Sequence, residues 1–158
     1  MYIVSACLAG VSCRYDGKDN LIEEIEELVK VGKAILVCPE QLGGLTTPRN
    51  PAEIIKCKDG SSRVLNNKGQ DVTKSFLKGA QETLRIAEIA GVNTAILKAR
   101  SPSCGFGKIY DGSFSGNKVK GNGLAAELLH KKGIKIYSEE NLPDELLKSI
   151  KSTDKKEE

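Results

Sequence analysis

At 158 residues, with 39% hydrophobic and 28% charged side chains, the chain is long enough to bury a sizeable core and has the composition of a soluble globular protein. Its net charge of +3 is too mild for a nucleic-acid wrapper, and no apolar run approaches the roughly 20 residues of a membrane helix. Five cysteines, a single histidine and no Cys-x-x-Cys pair exclude zinc ribbons, thioredoxin-type motifs and His-rich metal sites.

The amino terminus runs directly into a strand pattern without a charged leader or cleavage site, so no signal peptide and a cytoplasmic location are expected. Residues 2–6 read as a short buried strand, followed by a turn-rich loop from Gly10 to Lys18. Asn20 is placed to cap a helix running to about Val31, with Leu21, Ile22, Ile25, Leu28 and Val29 at helical spacing and Gly32 as its stop. Ala34 to Val37 form the next strand, which makes a parallel, right-handed β-α-β unit. Pro39 to Arg49 is too rich in Gly and Pro for a helix and is expected as a long functional loop.

Ala52–Lys58 and Ser62–Leu65, separated by Asp59-Gly60, read as a small hairpin. Asp71 opens the longest helix, to about Ala90, with Phe76, Leu77, Ala80, Leu84, Ala87 and Ile89 as its apolar side. Thr94–Leu97 is another buried strand, and residues 110–117 a flexible loop or loose hairpin. A helix from Leu124 to Lys132, a strand over residues 134–137 and a short helix over 142–150 complete the pattern. The expected fold is α/β: a three-layer Rossmann-like parallel sheet with helices on both faces and a small β-hairpin insertion. It forms a single domain over residues 1–150, and residues 151–158 are a polar, flexible tail.

Three apolar runs lead into a thiol: Ile3–Cys7, Ala34–Cys38, and Thr94–Leu97 followed by Arg100-Ser101-Pro102-Ser103-Cys104-Gly105-Phe106-Gly107. In a parallel α/β sheet, ligands bind beyond the carboxyl ends of the strands, where all three cysteines are expected. Structural zinc takes four Cys or His ligands, whereas iron–sulfur clusters accept thiolates from widely separated positions. A cubane held by three thiolates leaves one iron open to substrate. Against that stands the reading of each cysteine as a small core hydrophobe.

Val4-Ser5-Ala6-Cys7-Leu8-Ala9-Gly10, Arg14-Tyr15-Asp16-Gly17, Cys38-Pro39-Glu40, Gly43-Gly44-Leu45, Pro48-Arg49 and Ser101-Pro102-Ser103-Cys104-Gly105 occur in that order. Together they closely resemble the TudS-like family of thiouracil desulfidases, formerly a bacterial domain of unknown function, over residues 1 to about 140. The resemblance implies an enzyme that replaces the sulfur of a 2-thiouracil-type base, nucleoside or nucleotide with oxygen and releases sulfide. It implies a [4Fe-4S] cluster on Cys7, Cys38 and Cys104, with one iron not ligated by protein and open to the substrate sulfur. Glu40 and Ser101 match the assisting acidic residue and serine, and Ser103, two residues away, could take the serine's role. A soft thiocarbonyl sulfur matches such an iron, and Glu40 would serve as base or proton shuttle. No reductant is required.

A small thiolated pyrimidine is the expected partner, with an RNA substrate possible but not favoured, and no membrane. The alternatives are a non-catalytic nucleotide- or metal-binding α/β module, and a cysteine-based sulfur carrier using Cys7 and Cys13. Cys13 is otherwise expected as a loop or core thiol, and Cys57 as structural. Arg14, Arg49, Lys98, Arg100 and Lys108 are solvated surface charges or phosphate contacts. Tyr15 either stacks on a base or packs in its loop, and Gly121-Asn122-Gly123 is a helix cap or an anion site. His130 is expected at the surface.

Overall fold

A computed structural model describes residues 1–151; residues 152–158, most of the tail expected from the sequence, lie outside the described residues. In chain order the elements begin with β1 (Tyr2–Ser5), α1 (Glu23–Lys30), β2 (Ala34–Val37), α2 (Pro39–Leu42), β3 (Ala52–Lys56) and β4 (Ser62–Asn66). There follow α3 (Thr73–Ala90), β5 (Thr94–Leu97), β6 (Lys108–Tyr110), β7 (Lys118–Lys120), α4 (Leu124–Lys131), β8 (Lys135–Ser138) and α5 (Asp144–Lys151). β2, β1, β5 and β8 lie side by side in that order in one sheet, and every pairing is parallel. The expected α/β architecture is therefore present, with two small antiparallel hairpins, β3–β4 and β6–β7, added to it.

Side chains alternate across the sheet. Ile3, Ala95 and Leu97 point into a core shared with Ala87 of α3 and Ala126 and Leu129 of α4. Val4 and Ile96 point the other way, into a core with Ile25 and Leu28 of α1 and Leu146 of α5. These two cores make the three layers. Each wholly buried Ile, Val or Leu contributes about 1.5–3 kcal/mol, so β1 and β5 form the anchored middle of the sheet. Because all four strands run the same way, their carboxyl ends open on one edge, and the loops there sit on a rigid platform. Among the described residues no helix is long and apolar enough to cross a membrane.

Several local expectations are corrected. The first helix starts at Glu23, with Ile22 rather than Asn20 at its cap and no side-chain cap bond. Asn20 Oδ1 is already taken by Arg14 Nη1 at 2.8 Å, and the favourable charges Glu23, Glu24 and Glu26 occupy the first turn instead. Leu21, outside the helix, is exposed. The segment after Cys38 is not all loop. Pro39 at the first helical position supplies a preset φ and lacks only an N–H that would go unpaired, so α2 forms. Leu77 and Ile89 of α3 face solvent, and Gly79 and Thr83 take buried positions instead. Of the two forms expected around residues 110–117, a flexible loop or a loose hairpin, the hairpin is present: β6 and β7 pair across a seven-residue loop.

Gly79 and Gly43 let α2 lie backbone to backbone on α3. A Cβ at Gly79 would fall 1.8 Å from the Pro39 carbonyl oxygen, and one at Gly43 would fall 2.0 Å from that of Ser75. Neither backbone can yield without parting the two helices. Alanine ordinarily favours a helix over glycine by about 1 kcal/mol. Here Gly79→Ala should instead lower stability by about 3 kcal/mol or more, read by urea denaturation, and displace Glu40 with α2. A neutral or stabilising result would show that the close approach is wrong.

Candidate active site

A cleft of about 1120 Å³ opens at the carboxyl edge of the sheet, lined by Cys7, Cys13, Cys38 and Cys104 and by Glu40, Ser101 and Ser103. All six site residues expected from the sequence therefore meet in one place. Cys7 lies in the 3-10 turn Ala6–Ala9 that follows β1, and Cys38 directly follows β2. Cys104 stands in the loop between β5 and β6. That loop is held by α4: the N–H groups of Leu124 and Ala125 donate to the carbonyls of Pro102 and Ser103, each at 2.9 Å. Gly123 N–H donates to Gly105 at 2.7 Å, and a Cβ at Gly123 would lie 2.5 Å from the Ser103 carbonyl carbon. The helix terminus considered as an anion site thus spends its amides on positioning Ser103 and Cys104.

None of the five cysteines is in a disulfide. Cys13, expected as a loop or core thiol, is buried between the others and hydrogen-bonds toward both Cys7 and Cys38. Those bonds push its own thiol up and hold both neighbours down: Cys7 below the usual thiol range, and Cys38 at about 6, also helped by the Gln41 amide and Arg49. Cys104 behaves oppositely. Burial pushes it up to about 12, although the Ser5 and Ser103 hydroxyls point to its sulfur. Among the described residues no three Cys, His, Asp or Glu side chains are grouped to hold a single metal ion. The thiols are gathered but spread.

Glu40 sits at the start of α2, its side chain 13% exposed against 9% for Arg49. Arg49 Nε donates to Glu40 Oε2 at 2.6 Å and Nη2 lies 2.5 Å from the same oxygen. Arg49 Nη2 also donates to the Cys13 carbonyl at 2.9 Å, tying the acid to the thiol loop. The other carboxylate oxygen, Oε1, accepts from Ser103 Oγ at 3.2 Å. Ser103 Oγ lies 3.1 Å from Ser101 Oγ. Ser101 Oγ accepts the N–H groups of both Ser103 and Cys104 at 3.1 Å, which occupies its two lone pairs. Its proton is then free to donate to Ser103, whose one proton has two acceptors in reach, Glu40 Oε1 at 3.2 Å and the Cys104 sulfur at 3.7 Å, of which the carboxylate is the nearer and stronger. A directed chain, Ser101 to Ser103 to Glu40, results.

The cations that line the cleft are each matched to a carboxylate. Arg14 pairs with Asp16, Arg49 with Glu40, Lys98 with Glu139 at 2.5 Å and Arg100 with Glu140 at 2.6 Å. Lys108 is exposed on β6 and does not line the cleft. Tyr15 does line it, with the Arg14 guanidinium 5.8 Å from its ring centre. His130 is exposed, meets the Phe106 ring at a tilt of 59° and stays outside the cleft, and Cys57 lies away on the β3–β4 hairpin. Three site residues were missed from the sequence: Cys13, Arg49 as the partner of Glu40, and Asn20, which hydrogen-bonds the Cys7 sulfur. The Cys7-x5-Cys13 spacing was the only signal for the first and the Pro48-Arg49 motif for the second, though not for its pairing with Glu40, and nothing local signalled the third.

Known proteins resemble this chain over nearly its whole length. The family model described as 2-thiouracil desulfurase matches residues 2–141. The uncharacterized protein YbbK of Bacillus subtilis strain 168 is 44% identical over 149 residues, covering 91% of this chain and 99% of its own. The solved structure of a [4Fe-4S]-dependent thiouracil desulfidase, TudS, superposes with a TM-score of 0.83 at 41% identity, covering 95% of this chain and 97% of that one.

Proposed function

The chain belongs to the 2-thiouracil desulfurase family, and on that premise we propose that it exchanges the sulfur of a thiolated pyrimidine for oxygen, with water as the co-substrate and sulfide as the product. The observation that carries this reading is the convergence, in one cleft, of buried or half-buried thiols, none in a disulfide, with a carboxylate that is wired to two serine hydroxyls. The donor set suits an iron–sulfur cluster: all sulfur, drawn from three neighbouring strand ends, and not grouped for a single ion. Cys7, Cys38 and Cys104 would hold it. Such a cluster, when bound with one iron free of protein ligands, supplies a soft Lewis acid for the thiocarbonyl sulfur.

This chain's residues do the rest. Arg49 holds Glu40 by Oε2 and aims it, leaving Oε1 as the oxygen able to take a proton from an attacking water. Ser103 orients that oxygen, and Ser101, the more exposed of the two, orients Ser103 by donating its proton; with both lone pairs taken, Ser101 accepts no proton itself. The proton collected can return to the ring nitrogen as the carbon–sulfur bond breaks. The atoms balance without electrons: C=S and water become C=O and hydrogen sulfide. The matched cations support a neutral base or nucleoside over a phosphorylated nucleotide, since a phosphate would have to displace a carboxylate.

The test is anaerobic. The chain reconstituted with iron and sulfide, desalted, then given 2-thiouracil, should release uracil and sulfide in equal amounts with no reductant present. 2-Thiouridine should serve comparably and its monophosphate less well. Release that requires a reductant, or no release from any of the three, would sink the reading.

A further inference from the structure

Arg100 and Phe114 are the two non-glycine residues with positive φ among the described residues, at 66° and 54°, and both line the cleft. A left-handed backbone is unfavourable for a bulky side chain, and the surroundings must impose it. For Phe114 they do. Glu53, buried on β3, lends one oxygen, Oε1, to two loop amides: Gly112 N–H at 3.0 Å and Phe114 N–H at 3.2 Å. Gly112 is pressed onto the same strand, where an added Cβ would sit 2.9 Å from the Ile54 carbonyl oxygen.

The fold itself makes no use of the ring held this way. Phe114 is 38% exposed and belongs to none of the three apolar clusters. A glycine would take this φ without strain, and glycine is common in the surrounding loop. Aromatic side chains are also scarce: the chain has three Phe and four Tyr, and Phe114 shares the cleft with Phe76, Tyr15 and Tyr110. A strained backbone that presents an unpacked ring to a cleft is a feature of ligand clamps.

We propose that Phe114 stacks on the flat ring of the substrate and sets the cleft's preference for an aromatic heterocycle, and that Glu53 is the positioning residue that holds it there. This deepens the reading of the cleft as a thiolated-pyrimidine site and rests on it. The ring acts on binding and orientation and takes no part in proton transfer.

The experiment uses four variants of the reconstituted chain, Phe114→Gly, Phe114→Tyr, Glu53→Ala and Glu53→Gln. Each is read by KM and kcat for 2-thiouracil, by equilibrium binding of 2-thiouracil, and by thermal melting. Phe114→Gly should raise KM about five- to hundredfold, the range expected for a lost base stack, with kcat changed less than about threefold. Its melting temperature should stay level or rise, because the left-handed strain is relieved. Phe114→Tyr should behave like the wild type. Glu53→Ala should follow Phe114→Gly in KM, and Glu53→Gln, which keeps a carbonyl acceptor, should restore most of the affinity. An unchanged KM and binding constant in Phe114→Gly would overturn the proposal, as would a fall in kcat at constant KM. A lower melting temperature in Phe114→Gly would also overturn it, since the ring would then be structural. If the wild type binds 2-thiouracil but releases no sulfide, the desulfidase reading fails alone, and the binding arm still decides Phe114. If the wild type does not bind 2-thiouracil, both fall.

Discussion

Loaded with iron and sulfide under nitrogen, the wild-type chain should carry about four irons, while Cys7→Ala, Cys38→Ala and Cys104→Ala should each lose most of them. Cys13→Ala should keep its iron. The four thiols line one cleft, so proximity alone does not rank them. Rank comes from placement: Cys7, Cys38 and Cys104 follow β1, β2 and β5, three adjacent strands whose ends are fixed by the sheet register. Cys13 instead sits between Cys7 and Cys38 as a hydrogen-bonding neighbour, on a loop tied back by Val11 N–H to the Ala6 carbonyl at 3.1 Å. Iron content and the visible charge-transfer absorption decide the matter without any turnover. If Cys13→Ala loses iron and Cys104→Ala retains it, the cluster belongs to the Cys7, Cys13 and Cys38 loops. The β5–β6 loop would then supply only serines. Circular dichroism separates either outcome from misfolding.

How far the sequence could be read follows from which interactions are local. Ile3–Val4 and Ala95–Leu97 announce strands because burial on both faces demands continuous apolar runs, and the β-α-β order then dictates parallel pairing. That placed three thiols on one edge with no knowledge of contacts. The family resemblance carried by the six motifs also holds over nearly the whole chain. What could not be read depends on partners distant in sequence. Asn20 looks like a cap until Arg14 and the Cys7 sulfur claim it. α2 was hidden because Pro39 is read as a breaker, although at the first turn it promotes a helix. The 110–117 segment, rich in Gly and Ser, reads as a flexible loop or loose hairpin. What fixes it is Glu53, 61 residues before Phe114. Ser101 and Ser103 were indistinguishable by motif, and only the count of lone pairs orders them.

That order makes the second large effect specific. Glu40→Gln should keep the iron of the wild type yet reduce sulfide release by about 10²–10⁴-fold, the range lost with a general base. Glutamine keeps one carbonyl oxygen for Arg49, while its NH2 takes the place of Oε1 and donates to Ser103 Oγ instead of accepting from it, so the size of the side chain is held while the proton acceptor is removed. The change leaves Arg49 partly buried without its countercharge, which can cost a few kcal/mol of stability. Melting must therefore be recorded with the rate, and turnover measured well below the transition. The serines then separate. Ser103→Ala breaks the chain but removes no acceptor from the backbone, so iron should stay and turnover fall about tenfold or more. Ser101→Ala also strips the acceptor from the Ser103 and Cys104 amides, which hold the Cys104 thiol in place. Iron content should therefore fall along with the rate. Full turnover in Glu40→Gln would remove Glu40 from the chemistry. Full turnover in Ser103→Ala with loss in Ser101→Ala at constant iron would mean that Ser101 meets the substrate directly, with Ser103 only packing beneath it.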